Sequence, residues 1–239
     1  MNYLHDGVVD LGFDKGAFFG VKILPLELLE QKLEAYISTL LEYNAKFDLV
    51  NADSHDEVAV RHILDSLSAL PEICAQISRR FSQKNEDSLL FADIGSGAGL
   101  PGLPLAAALP QFKFILVERM TKRCGFLNHC AKVLNLKNVS VEENQAERLE
   151  QNRFDMCVFR AFRPLDKKMA KVLLRILKPE GFLAAYKAKK EKITEEMESL
   201  PQRPKYEIVP LKVPFLTENT EKDEERERNL VIIEKNSVI

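Results

Sequence analysis

The residues of greatest chemical content lie in Phe91-Ala-Asp-Ile-Gly-Ser-Gly-Ala-Gly-Leu-Pro-Gly102. Four glycines fall within the eight residues from Gly95 to Gly102. They follow a short apolar run and open a helical pattern. Such a loop either needs positive φ or lets a ligand approach the backbone closely. Two ligand chemistries compete for it. Gly97-Ala-Gly99-Leu-Pro-Gly102 spells the dinucleotide fingerprint G-x-G-x-x-G. Asp93 to Gly99 spells D-x-G-x-G-x-G, the pattern of S-adenosylmethionine sites. Charge separates the two. A pyrophosphate wants the positive end of a helix with no acid beside it. Asp93 would repel it, and Pro101 removes one N–H it could have used. S-adenosylmethionine carries an ammonium and a sulfonium but no phosphate, so a nearby carboxylate favours it. Glu118 ends a second apolar run, 19 residues beyond Gly99, where a carboxylate can accept both ribose hydroxyls of either ligand.

Further along, Arg160 ends a fourth apolar run, on the expected carboxyl edge where parallel sheets bind ligands. Arg163 and Lys187 are weaker candidates for the same edge. They belong to a basic window. Residues 160–192 hold 11 Lys+Arg and 3 Asp+Glu, a local surplus that would suit RNA phosphates. Arg61, His62, Asp65 and Ser66 invite a hydrolase reading, but they lie within six residues on one predicted helix. A catalytic triad needs its members to converge on one point. Packing of that helix against the rest of the chain, or a hold on RNA, fits them better. Cys74, Cys124, Cys130 and Cys157 form no C-x-x-C pair, and His129 beside Cys130 is too close to chelate without further ligands. No metal site is expected.

The elements that must position these residues follow from periodicity. Residues 1–24 show no clear period and are expected to be a loop-rich lead-in. From Pro25, apolar residues at spacings of three and four predict a helix through Leu41, with further helices over 56–70 and 71–81 and a polar linker at 83–88. Thereafter strands and helices alternate. Strands are expected at 89–94, 113–118, 138–142, 154–159 and 182–187, with helices between them and a further helix at 190–200. Two late strands, 206–213 and 229–234, have no helix between them and should form a hairpin. Their acidic connection, 217–228, holds six acids and three bases and is expected to be solvated. Alternation calls for a parallel sheet covered on both faces. The expected fold is α/β, a Rossmann-like methyltransferase domain over 83–239 with seven strands ending in an antiparallel hairpin, preceded by a helical extension over 1–82.

Composition agrees. The chain has 239 residues, 46% apolar and 29% charged, with a net charge of −2. It has enough apolar surface for a core, which disfavours disorder. No apolar stretch approaches a membrane span and the N-terminus lacks the pattern of a signal peptide, so a cytoplasmic protein is expected.

Several stretches together resemble the ribosomal RNA small-subunit methyltransferase G family, also called glucose-inhibited division protein B. They are Asp93-Ile-Gly-Ser-Gly-Ala-Gly-Leu-Pro-Gly-Leu-Pro-Leu105, Leu41-Glu-Tyr-Asn-Ala-Lys-Phe-Asp-Leu49, Arg61-His-Ile-Leu-Asp-Ser-Leu67, Lys122-Arg-Cys-Gly-Phe-Leu127 and Arg160-Ala-Phe-Arg-Pro-Leu165. The resemblance runs from about residue 26 to the end. It implies transfer of a methyl group from S-adenosylmethionine to N7 of a guanine in 16S ribosomal RNA, guanine 527 of the decoding region, with S-adenosylhomocysteine as product; a monomer is expected. It implies donor contacts at Gly95, Leu100, Ala146, Glu147 and Arg160. Glu118-Arg119 stands where many relatives have Asp-Ser or Glu-Ser, and Ala188 where many have Gly. Guanine N7 carries a lone pair and no proton, so no general base is needed. Rate would come from positioning and from charge stabilisation near the base, where Arg160 could act. Methyl transfer to a small molecule or protein, a nucleotide-dependent oxidoreductase and a non-enzymatic RNA-binding protein are the rivals. The basic window, Asp93 and the retained glycines respectively speak against them.

Overall fold

The computed structural model describes residues 2–161, 165–200, 204–216 and 227–235. Five apolar runs form parallel strands: β1 (Leu90–Ile94), β2 (Lys113–Glu118), β3 (Val139–Glu143), β4 (Phe154–Arg160) and β5 (Leu177–Lys187). β6 (Tyr206–Pro210) and β7 (Asn229–Glu234) pair antiparallel, and β7 inserts between β5 and β6. The sheet order is β3-β2-β1-β4-β5-β7-β6. The seven-stranded, mostly parallel α/β sheet with its antiparallel end is as expected. The fifth strand begins earlier than expected. Lys178-Pro179-Glu180-Gly181 lies inside it, and the pairing with β4 is irregular between Phe154 and Met156.

Strand alternation sends side chains to two covered faces. Phe91, Phe114, Met156, Val158, Phe182 and Ile232 join a cluster with α2 (Leu26–Phe47), α4 (Leu70–Phe81), α5 (Gly102–Ala108) and α6 (Thr121–Val133). Ala92, Cys157, Phe159, Leu183 and Val231 meet α7 (Lys167–Ile176) and α8 (Lys190–Ser199) on the other face. The helices before residue 83 thus share one core with the first face of the sheet.

The lead-in is not loose. Tyr3–Asp10 is a helix, capped by the Asn2 side chain, which accepts from His5 N–H at 3.1 Å. Leu4, Val8, Phe13, Val21 and Ile23 are buried. Gly7, within that lead-in, is a close helix contact. A Cβ there would lie 2.3 Å from Leu64 Cδ1. The helix over residues 55–67, here α3, is α-helical at His55–Val58 and Asp65–Leu67 but π-helical from Ala59 to Leu64. It carries Arg61 and His62 in the widened turn, a feature frequent at functional sites.

Candidate active site

Because β1, β2, β4 and β5 run parallel, their carboxyl ends bring Gly95, Glu118, Arg160 and Lys187 to one edge. Two cavities open there. The smaller, about 350 Å³, is walled by Gly95, Glu118, Arg119, Asn144, Ala146 and Glu147, among others. The larger, about 610 Å³, is walled by the glycine loop, Arg160 and Lys187 from the sheet, Leu49 and Val50 from the segment after α2, Arg61, His62 and Asp65 from the helix over 55–67, and Arg228 and Asn229. Gly95, Arg123 and Ala161 border both.

The loop is held from three sides. Gly95 and Ser96 N–H donate to Val117 carbonyl at 2.9 and 3.1 Å. Gly97 N–H donates to Glu118 Oε2 at 3.0 Å, while Glu118 Oε1 accepts from Arg119 and Met120 N–H. Tyr36 O–H on α2 donates to Ala98 carbonyl at 2.6 Å, fully buried. Gly97 has φ +56°, and a Cβ there would meet no atom nearer than 3.8 Å. Its free side is the cavity.

Asp93 does not wall either cavity. It is buried beneath the loop, where Oδ2 accepts from Gly102 N–H at 3.0 Å and Oδ1 has no partner. A Cβ on Gly102 would lie 2.5 Å from that Oδ2, so this glycine serves close helix–strand packing. Burial pushes the Asp93 carboxyl up to about 7, against hydrogen bonds from Gly102 and Ser96 and the Arg160 charge, with Glu118 adding to the rise. Gly99 likewise builds the loop from within. A Cβ there would strike Leu103 at 2.4 Å. The amides a pyrophosphate would need are spent: Gly102 N–H on Asp93, Leu103 N–H on Gly99 carbonyl. The spent amides, more than the charge of the buried Asp93, stand against a dinucleotide.

Arg160 is paired and also exposed to the larger cavity. Its Nη1 lies 2.6 Å from Asp65 Oδ2 and 3.4 Å from His62 carbonyl, and Nη2 lies 3.4 Å from His62 Nδ1. Arg228 Nε approaches Asp65 Oδ1 at 3.3 Å. His62 is pushed down to about 4, by burial first, then by Arg160 and Arg61, with Glu57 opposing. It is neutral at pH 7. Lys187 Nζ sits between both carboxylate oxygens of Glu196 at 2.8 and 2.9 Å. Arg163 lies outside the described residues.

The expected donor residues thus divide. Gly95, Gly97 and Leu100 wall the larger cavity, with Gly95 bordering both; Glu118, Ala146 and Glu147 wall the smaller. Tyr36, Arg123, Arg228, Asn229 and Asn44 were not singled out from sequence for roles at the site. Asn44 holds the segment bearing Leu49 and Val50, accepting from both of their N–H groups and donating to Val50 and Ala52 carbonyls. A signal existed only for α3, where Asp65 and Ser66 are polar residues at buried positions of an otherwise apolar helix face.

The larger cavity is cationic. Arg61, Arg123, Arg160, Lys187 and Arg228 face it against the single acid Asp65, among the described residues. The smaller cavity is balanced, with Arg119 and Arg123 against Glu118 and Glu147. No group of residues suited to a metal ion occurs among the described residues, and no helix there is long and apolar enough to cross a membrane.

Comparison with known proteins shows the family. The family model described as rRNA small subunit methyltransferase G matches residues 29–230. Proteins named ribosomal RNA small subunit methyltransferase G are similar along most of their length. The one from Treponema denticola is 40% identical over 228 residues, 87% of each chain. The one from Treponema pallidum (strain Nichols) is 37% identical over 191 residues, 78% of this chain and 80% of the other. Among solved structures, a predicted O-methyltransferase from Agrobacterium tumefaciens superposes with a TM-score of 0.53 at 16% identity, over 72% of this chain and 80% of that one. The [4+2]-cyclase SpnF superposes with a TM-score of 0.53 at 14% identity, over 85% and 94%. These two share the fold, and a fold alone does not select a reaction.

Proposed function

Because this chain belongs to the rRNA small subunit methyltransferase G family, we propose that it transfers a methyl group from S-adenosylmethionine to N7 of a guanine in 16S ribosomal RNA, in the cytoplasm. The observation that carries the reading is the charge split between two adjoining cavities: a balanced lobe for the donor's adenosine and a cationic lobe for a polyanion.

The residues fit the donor. Glu118 has each carboxylate oxygen engaged by backbone N–H on one side, leaving further lone pairs for a ribose diol. Gly97 offers open space where a side chain would intrude. Ala146 and Glu147 would flank the adenine, and Gly95 and Leu100 would border the methionine portion. Asp93 and Gly99 hold the loop in shape from below. When bound, S-adenosylmethionine supplies a methyl group on a positively charged sulfur. The guanine N7 lone pair takes that methyl, the C–S electrons stay on sulfur, and the positive charge passes to the base. The chain's own contribution is to align N7 with the methyl where the two cavities share Gly95, Arg123 and Ala161. Arg160, neutralised by Asp65, forms part of the acceptor wall without placing an unbalanced charge beside a base that is becoming cationic. Lys187 and Arg163 are assigned to the RNA side.

The test is methyl transfer from labelled S-adenosylmethionine to small ribosomal subunits and to naked 16S RNA from a strain lacking this activity, mapped by cleavage specific for 7-methylguanine. Label at one guanine is the expected result. Donor binding without label on either acceptor would keep the donor site and overturn the RNA substrate.

A further inference from the structure

Residues walling the larger cavity carry three buried polar atoms with no hydrogen-bond partner, one of which, Asp65 Oδ1, faces the Arg228 guanidinium at 3.3 Å. The other two are His62 Nε2 and Asn229 Oδ1. A buried polar group left unpaired is costly, and native interiors avoid it unless a ligand completes the bond. The chemical sense of each atom is fixed by its neighbours. An arginine donates only, so the Arg160 guanidinium facing His62 Nδ1 makes that nitrogen the acceptor and leaves the ring hydrogen on Nε2. Asn229 Nδ2 donates to Ala188 carbonyl at 2.5 Å and to Glu227 Oε1 at 2.9 Å, which makes the free atom the carbonyl oxygen. One donor and one acceptor are therefore left without a protein partner on residues that wall the same cavity. They belong to neighbouring elements: Arg160 contacts His62 and Asp65, and Asp65 contacts Arg228, the residue before Asn229.

We propose that His62 Nε2–H and Asn229 Oδ1 read the Watson–Crick edge of the acceptor base, His62 donating to guanine O6 and Asn229 accepting from guanine N1–H. This rests on the reading of the site as a guanine-N7 methyltransferase and names its specificity residues. The pattern selects guanine over adenine, whose edge presents a donor at N6 and an acceptor at N1 and would meet like against like. It also suits the reaction. An arginine reading guanine forks across O6 and N7 and would cover the lone pair that must attack. A single donor from the Watson–Crick side leaves N7 open. Arg160 is held away from such a fork by Asp65 and the His62 carbonyl. A neutral imidazole adds no repulsion as the base gains charge, and the surroundings of His62 keep it neutral. A base presented this way must leave its stack, as substrates of base-modifying enzymes do.

The experiment compares small-subunit RNA carrying guanine or 2-aminopurine at the target. 2-Aminopurine keeps N7 but lacks O6 and the N1 hydrogen. Wild type is expected to prefer guanine by roughly ten- to hundred-fold or more in kcat/KM. His62→Phe and Asn229→Leu should each lose roughly tenfold or more on guanine and little on 2-aminopurine, with donor affinity unchanged. His62→Gln, which keeps a donor, and Asn229→Gln, which keeps the whole amide, should recover part of the loss. Equal losses on both bases, no loss, weakened donor binding, or selectivity lost at only one of the two positions would overturn the proposal. Wild-type transfer to the guanine substrate is the control. Its absence would fail the functional reading itself, whereas its presence with unselective variants would fail only this assignment.

Discussion

Asp93 and His62 place two titrations of opposite sense in the site. The folded-state Asp93 carboxyl is raised from 3.8 to about 7 by burial. Its contribution to stability is complete below pH 3.8 and is lost as pH rises through 7, because the folded state holds a proton that the unfolded chain releases. His62 is lowered from 6.5 to about 4. Its contribution is complete above pH 6.5 and is lost as pH falls through 4. Asp93→Asn should therefore flatten the decline in stability between pH 5 and 8 by on the order of 2–3 kcal/mol, read by urea unfolding at the two pH values. An unchanged slope would remove the buried acid from the account. Glu118→Gln should weaken S-adenosylmethionine binding by roughly tenfold through loss of a charged acceptor, measured by calorimetry. The acid at Glu118 was legible in the sequence because it ends an apolar run at a set distance from the glycines. The part played by Asp93 was only half legible. Its position at the end of β1 marks the loop, but that it supports the loop from beneath depends on the turn of the chain, which packs Gly102 against it.

Between elements, the glycine loop depends on α2. The Tyr36 hydroxyl on Ala98 carbonyl is the side-chain hydrogen bond that joins the N-terminal helices to the loop. Tyr36→Phe leaves that carbonyl buried and unpaired. It should cost about 1–3 kcal/mol of stability and weaken donor affinity in the same variant, measured by thermal unfolding and calorimetry. Stability lost with affinity intact would show that the loop keeps its shape unaided. The parallel strands were legible because strands covered on both faces are continuous apolar runs. The first helix was not. It spans only eight residues and contains Gly7, which packs against Leu64. The π-helical turn of α3 was equally hidden, since one extra residue in a turn leaves no periodic trace in a segment this short. Nor do sequence spacings show that Asp65 would meet Arg160 and Arg228, which lie 95 and 163 positions away and converge only through the sheet.

Across the whole molecule, a net charge of −2 coexists with a cationic cleft. The basic window resolves into two groups. Arg160, Lys178 and Lys187 neutralise Asp65, Asp155 and Glu196, whereas Lys167, Lys168, Lys171, Lys190 and Lys192 are exposed. The second group is open to phosphates outside the cleft. Reversing Lys167, Lys168 and Lys171 to Glu should reduce the dependence of log affinity for RNA on log salt by roughly 0.7–0.9 for each phosphate no longer neutralised, with donor affinity unchanged. An unaltered slope would assign RNA binding to the cleft arginines instead. The border that the two cavities share at Gly95, Arg123 and Ala161 has one more consequence. Two ligands that meet there can be joined into one. Adenosine tethered to guanine through a linker at N7, replacing the sulfur and the travelling methyl, would occupy both lobes at once. The second half would then bind at the effective concentration set by the tether and not at its concentration in solution. Such a molecule should bind at least roughly 100-fold more tightly than either half alone and compete with both substrates. A tether that improved neither half would mean that the lobes are never filled together, and that the base arrives only after the protein has changed shape.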